Sequence, residues 1–218
     1  MSSGFRPLPA GFVPPCLPAG SKIPLSGKEW LHEIKHDGFR VIGRKIGKRV
    51  KLYSRSGNDL TERFPLIVQA MARLGANSSI IDGEAVACGD DVIASFHRLC
   101  YRHYDKTVFL YAFDLIELNG DDLRREPFVV RKTTLARLLG QEMLAELLGS
   151  AIPGLRFNEH IEADGVDVFQ HACRLGLEGI VSKRKDSYYV SGRSLHWVKS
   201  KNPDAPAVKR EAEIESSR

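Results

Sequence analysis

Residues 30–54 read WLHEIKHDGFRVIGRKIGKRVKLYS. Trp30 to Ile34 alternates loosely between apolar and polar residues and runs into the tight pair Asp37-Gly38. Gly38 is free to take a positive φ, which a turn at this point can use. Phe39 to Ile46 and Arg49 to Ser54 are strand-like runs separated only by Gly47-Lys48, the pattern of a β-hairpin with a glycine turn.

Further elements follow on both sides. Arg63 to Leu74 has helical spacing in Phe64, Ile67, Val68, Met71 and Leu74 and stops at Gly75. Ile80 to Ala87 reads as a strand. Val108 to Leu118 is apolar on both faces until Asp114, as in a buried central strand. Arg131 to Leu148 is an amphipathic helix that Gly140 is expected to interrupt, and Val166 to Leu175 is another helix. Gly179 to Lys183 and Leu195 to Lys199 read as short late strands. Helices and strands mix without strict βαβ alternation, which predicts an α+β fold with largely antiparallel sheets. The first 28 residues carry Pro7, Pro9, Pro14, Pro15, Pro18 and Pro24 and are expected to form an extended lead-in, packed down by Phe5, Phe12, Val13 and Leu17. Residues 29–203 form the predicted domain, and the polar residues 204–218 a flexible tail.

The chain has 218 residues, 43% of them hydrophobic, enough for one large domain or two small ones with a real core. Its formal net charge of +5 suits a phosphate-bearing partner without proving one. Cys16, Cys88, Cys100 and Cys173 show no CxxC spacing, which argues against a zinc site or a disulfide framework and for buried free thiols in a reducing cytosol. No apolar stretch is long enough to span a bilayer, and the proline-marked start does not read as a signal peptide.

Six short segments carry chemistry. In Glu33-Ile34-Lys35-His36-Asp37-Gly38, a lysine stands just before a turn, and a lysine amine becomes a nucleophile when burial and neighbouring cations favour its neutral form. Read alone, the same residues describe a surface lysine beside a turn. In the extended run up to Asn58, Lys51, Tyr53 and Arg55 share a face, from which Arg55 can reach a phosphate. In Ile80-Ile81-Asp82-Gly83-Glu84-Ala85, Asp82 and Glu84 share a strand face and repel unless a cation or hydroxyls, such as a metal or a ribose, satisfy them. Phe113-Asp114 closes the apolar strand, and by itself Phe113 reads as core. Glu178-Gly179-Ile180-Val181-Ser182-Lys183 is the fifth segment. Trp197-Val198-Lys199-Ser200-Lys201 is the sixth. There Trp197, Lys199 and Lys201 share a face, and an anion such as a triphosphate would offset the two lysines.

Together and in order, across roughly residues 30–202, these segments resemble the nucleotidyltransferase motifs of ATP-dependent DNA ligases. Lys35-Asp37-Gly38 is similar to the KxDG motif, and the wording looks closest to the ligase domain of bacterial end-joining ligases of the LigD type. The resemblance implies an ATP-grasp-like nucleotidyltransferase domain, largely antiparallel sheets flanked by helices. It implies ATP and Mg2+ (or Mn2+) as cofactors and nicked or broken DNA as partner, in the bacterial cytoplasm and away from membranes. It implies that Lys35 forms lysyl-AMP, that Glu33 and the backbone of Ile34 contact the adenine, and that Phe113 stacks on it. By the same resemblance Glu84 binds the ribose hydroxyls, Arg40 and Arg55 contact phosphates of AMP or the nick, and Glu178 helps to hold the metal. Lys199 and Lys201 neutralise the α-phosphate and Lys183 assists.

Ligases of this class carry an OB-fold domain after the last motif, and neither that domain nor its basic motif is found after Lys201. Slow self-adenylation and weak nick binding are expected, with an end-joining partner or a separate OB-fold protein as possible completions. The alternatives are an RNA ligase or a capping-type nucleotidyltransferase, which share the KxDG chemistry, and a non-catalytic module that binds adenylate or DNA ends.

Overall fold

The computed structural model describes residues 8–88, 96–100, 102–147 and 154–210, with only the backbone of His97, His103 and residues 141–147. Two sheets face each other. The first has five strands: β1 (Cys16–Gly20), β2 (Trp30–Ile34), β9 (His160–Ile161), β10 (Gly179–Arg184) and β11 (Gly192–Lys201), in the order β1-β11-β10-β2-β9. The second has six: β3 (Phe39–Ile46), β4 (Arg49–Ser54), β5 (Ser78–Val86), β6 (Phe109–Leu118), β7 (Asp121–Asp122) and β8 (Leu155–Phe157), in the order β4-β3-β5-β6-β7 with β8 beside β6. Two pairings, β1 with β11 and β6 with β8, are parallel, and the rest are antiparallel. The α+β expectation holds.

The hairpin of β3 and β4 falls on the predicted residues, and Gly47 at its tip has φ +57°, where a side chain would be strained. Gly38 corrects the reading of the preceding turn. It is not among the residues with positive φ. Glycine is needed there because a Cβ would run into the carbonyl oxygen of Ala85. The turn after Lys35 therefore lies flat against β5 while the chain crosses from the first sheet to the second.

Three apolar clusters hold the layers. Val41, Leu52, Ile81, Ala85, Leu110 and Leu115 of the second sheet pack on α1 (Pro65–Arg73), the short α2 (Phe96–Cys100) and α3 (Phe128–Leu147). Each fully buried aliphatic side chain there, such as Ile67 or Met71, contributes about 1.5–3 kcal/mol. Val13, Cys16, Leu31, Ile42, Ile80, Phe113, Phe128, Tyr189 and Trp197 lie between the sheets. Val168 and Ala172 of α4 (Gly165–Arg174) cover Ile180.

Several expectations need correction. The proline-rich lead-in contains β1, an edge strand, where missing donors are tolerated; Phe5 lies outside the described residues. Gly140 does not interrupt α3, which runs from Phe128 to Leu147. Of the expected tail, residues 206–210 are helical and Arg210 bonds Asp37 at 2.9 and 3.1 Å, while residues 211–218 lie outside the described residues. Of the cysteines only Cys16 is buried, and Cys100 is exposed. No helix among the described residues is long and apolar enough to cross a membrane.

Candidate active site

The six segments meet at the mouth between the sheets. A cleft of about 210 Å³ is lined by Glu33, Ile34, Lys35, Arg40, Arg55, Glu84, Phe113, Lys183, Lys199 and Lys201, together with Leu17, Pro18, His36, Asn158, Val181 and Trp197. β2 delivers Glu33, and Lys35 follows just beyond its end. β3 delivers Arg40, β5 Glu84, β6 Phe113, β10 Lys183, and β11 Lys199 and Lys201.

Lys35 sits with its Nζ 2.5 Å from Oε1 of Glu178, with side-chain exposures of 22% and 4%. Burial pushes the Glu178 carboxyl up against the pull of Lys35. Its second oxygen, Oε2, is buried with no hydrogen-bond partner. Such an atom costs free energy until a cation or a donor meets it. Among the described residues no group of three or more His, Cys, Asp or Glu side chains stands ready to hold a metal. Glu178 therefore fits an ion completed by substrate phosphates and water, the usual habit of Mg2+.

Asp82 and Glu84 share a strand face as predicted, but their roles separate. Asp82 is fully buried and bonded by Arg40, Nε at 2.5 Å and Nη2 at 2.7 Å, and by the Tyr189 hydroxyl at 2.6 Å. The Tyr189 hydroxyl in turn accepts from the backbone N–H of Cys16 at 3.1 Å. Protein groups thus satisfy Asp82, and Glu84 is left to face the cleft. Burial raises the Glu84 carboxyl to about 7, against Lys35 and Arg40, which favour its charged form. Arg40, expected at a phosphate, is committed to Asp82 and lies 4.4 Å above the Phe113 ring.

Glu33 is 2% exposed: Lys132 Nζ donates to Oε1 at 2.6 Å, Asn158 Nδ2 donates to Oε2 at 3.3 Å, and the Lys183 ammonium pairs with Oε2 at 2.7 Å. Burial alone would raise its carboxyl, but Lys132 and then Lys183 outweigh this and hold it low. Burial brings Lys183 down to about 8. The Lys183 ammonium lies 4.0 Å from the centroids of both Phe113 and Trp197. His36 stacks on Tyr111 with centroids 4.0 Å apart and donates through Nε2 to Asn158 Oδ1 at 2.9 Å. Burial lowers His36 to about 4, so at neutral pH it is uncharged and its Nε2 can donate.

Asp114 has a structural task. Arg131 binds it with two bonds of 2.8 Å, both side chains 0% exposed, and so pins α3 to β6. Of the three residues expected on one face of β4, Lys51 pairs with Asp59 at 2.7 Å and Tyr53 packs 5.8 Å from Phe12. Arg55 reaches the rim of the cleft.

Sequence reasoning missed Lys132, Asn158 and Tyr189. One signal pointed to the first. Residues 128, 131, 132, 135 and 139 share a helix face, so Arg131 and Lys132 interrupt the apolar stripe of Phe128, Leu135 and Leu139. Charges on such a stripe are buried and paired.

Comparison with known proteins agrees with this arrangement. Residues 21–201 match the family model of the ATP dependent DNA ligase domain. The chain is 34% identical over 203 residues to the multifunctional non-homologous end joining protein LigD of Pseudomonas aeruginosa, covering 92% of this chain and 23% of that protein. It is 29% identical over 202 residues to the SPbeta prophage-derived DNA ligase-like protein LigB of Bacillus subtilis, covering 90% of this chain and 70% of that one. The fold superimposes on the crystal structure of the ligase domain of Mycobacterium tuberculosis LigD with a TM-score of 0.69 and 30% identity, over 86% of this chain and 58% of that one. A mycobacterial DNA ligase D complexed with ATP and MES gives a TM-score of 0.68 at 29% identity, over 86% and 59% of the two chains. The chain thus spans about a quarter of the LigD relative's length, and within that span it belongs to the ATP-dependent DNA ligase family as an adenylation domain.

Proposed function

We propose that the cleft adenylates Lys35 from ATP and passes the AMP to a 5′-phosphate at a DNA break, where a 3′-hydroxyl displaces it and seals the strand. The observation that carries this reading is the position of Lys35. Its amine sits in one cleft with an aromatic wall and a buried carboxylate on one side and the β11 lysines on the other.

The base would lie against Phe113 and Val181, with Glu33 and the Ile34 backbone at its edge. Glu84 would take the ribose hydroxyls, protonated or charged near neutral pH. Lys199, Lys201 and Arg55 would surround the phosphates. Arg40 serves the phosphates only if it leaves Asp82, so its first role is to support the Phe113 wall. The Lys35 amine attacks the α-phosphorus, the P–N bond forms and pyrophosphate departs. The lysine proton must leave before attack, and Glu178 is its present partner. Mg2+ held by Glu178 would offset charge on the leaving pyrophosphate and compete with Lys35 for that carboxylate. Positioning and charge neutralisation are what phosphoryl-type transfer asks of a protein.

The test supplies pre-adenylated nicked DNA to the full chain without ATP. Sealing by wild type supports the later steps. Absence of sealing, together with absence of lysyl-AMP from ATP, would leave a binding module.

A further inference from the structure

The buried ammonium of Lys132 has no place in the motif series, yet it touches both walls of the proposed base site. Its Nζ donates to Glu33 Oε1 at 2.6 Å, to the Asn158 carbonyl at 2.5 Å and to the Phe113 carbonyl at 3.5 Å. It also lies 4.3 Å from the Phe157 ring centroid, and Lys132 is 1% exposed. Asn158 fixes the other side of the same carboxylate through Nδ2 and is itself oriented by His36. One cation on α3 therefore sets the distance between the aromatic wall and the acidic edge.

We propose that Lys132 is the positioning residue that sets the base preference of the cleft: it holds Glu33 as an acceptor-only carboxylate beside Phe113, so that a purine with a 6-amino group is taken and one with a 6-oxo group is refused. This rests on the reading that Glu33 faces the base. An ionised carboxylate offers about four lone-pair sites and no donor. Lys132 takes one site on Oε1, while Asn158 and the Lys183 ammonium crowd Oε2, which leaves one site on Oε1 for an exocyclic amine. A 6-oxo group would bring an acceptor against an acceptor in a water-poor site, and such mismatches discriminate strongly. Without Lys132, Glu33 keeps one cationic partner, and full burial then favours the neutral acid, which can donate to a 6-oxo group. Lys183 cannot replace Lys132, because it approaches the other oxygen, Oε2, and lies over the Phe113 ring.

A purely structural Lys132 predicts something else. Its loss would lower stability and weaken all nucleotides alike.

The experiment measures dissociation constants for AMP and IMP on the full chain by calorimetry, with melting curves alongside and label transfer from ATP as a check on the wild type. Wild type should prefer AMP. Lys132→Met should cut the AMP:IMP preference by about tenfold, since a hydrogen bond to a buried charge is at stake, and Lys132→Arg should restore most of it. An unchanged ratio in Lys132→Met, with both affinities lowered together, overturns the proposal and leaves a structural role. Equal affinity of wild type for AMP and IMP also overturns it, while label transfer from ATP would keep the adenylation reading intact. Should Lys132→Met lose its cooperative melt, Asn158→Ala carries the test by removing a donor from the same carboxylate. There a drop of about threefold in the ratio is expected, and no change overturns the proposal. If wild type neither binds AMP nor takes label, the adenylation reading falls and this proposal with it.

Discussion

The two ends of the cleft are built on opposite electrostatic plans. At the base end Glu33, Lys132 and Lys183 are 2%, 1% and 2% exposed, and opposite charges meet at 2.6 and 2.7 Å. At the phosphate end Lys35 is 22% exposed at its side chain, Lys199 and Lys201 are half-buried, Arg55 is exposed, and Glu178 stands opposite Lys35 with one oxygen unsatisfied. Burying an ion costs several kcal/mol unless its partners are already in place. The base end has them in the free chain, so its geometry is complete before a ligand arrives. The phosphate end places Lys35, Lys199, Lys201 and Arg55 around one opening, where an incoming polyanion can meet them together. If Glu33 faces the base as proposed, base preference is a property of the fold, while catalysis depends on what the substrate brings.

Substitutions can break that contrast, and the largest effect is at the nucleophile. Lys35→Ala should abolish lysyl-AMP on a denaturing gel while leaving the AMP:IMP preference nearly intact. Next come Lys199→Ala and Lys201→Ala, each expected to slow adenylation by about 10²–10³-fold, as when one preorganised donor to a developing charge is removed. Neither should alter base preference, and single-turnover rates with ATP and ITP check this. Behind both ends, Arg131→Met leaves Asp114 buried without its cation and should cost about 3–5 kcal/mol in denaturant unfolding.

The pH dependence sharpens the contrast further. Burial raises Glu84 from 4.5 to about 7, so the folded chain favours its protonated form. That contribution to stability is complete below pH 4.5 and is lost as pH rises through about 7. Glu84→Gln should flatten the fall in melting temperature across this window, with part remaining because burial raises Glu178 in the same direction. The smallest effect is at the half-exposed pair of Arg210 with Asp37: Arg210→Ala should cost less than about 1 kcal/mol.

Local patterns in the sequence were legible where they depend on neighbours. The hairpin at Phe39–Ser54 and the helix α4 follow from turn residues and periodicity, and the six motif segments do line one cleft. β1 was not legible, because prolines mask a strand whose partner, β11, lies far along the chain. Gly140 misled because tertiary packing of α3 overrides a helix penalty of about 1 kcal/mol. The ion partners were hidden for the same reason as β1. Glu33 and Lys132 are 99 residues apart, and Asp82 and Tyr189 are 107 apart. The placement of Arg131 and Lys132 on an apolar helix face is a signal for their burial that the sequence reading did not use.

The central claim is that Lys35 is the adenylated residue. Wild-type protein and Lys35→Ala, each incubated with ATP labelled at the α-phosphate and Mg2+, then denatured, digested and mapped by mass spectrometry, test it directly. The account predicts label on the wild-type peptide carrying Lys35 and none on the variant. Label retained in Lys35→Ala, or placed on another residue of the wild type, would contradict it.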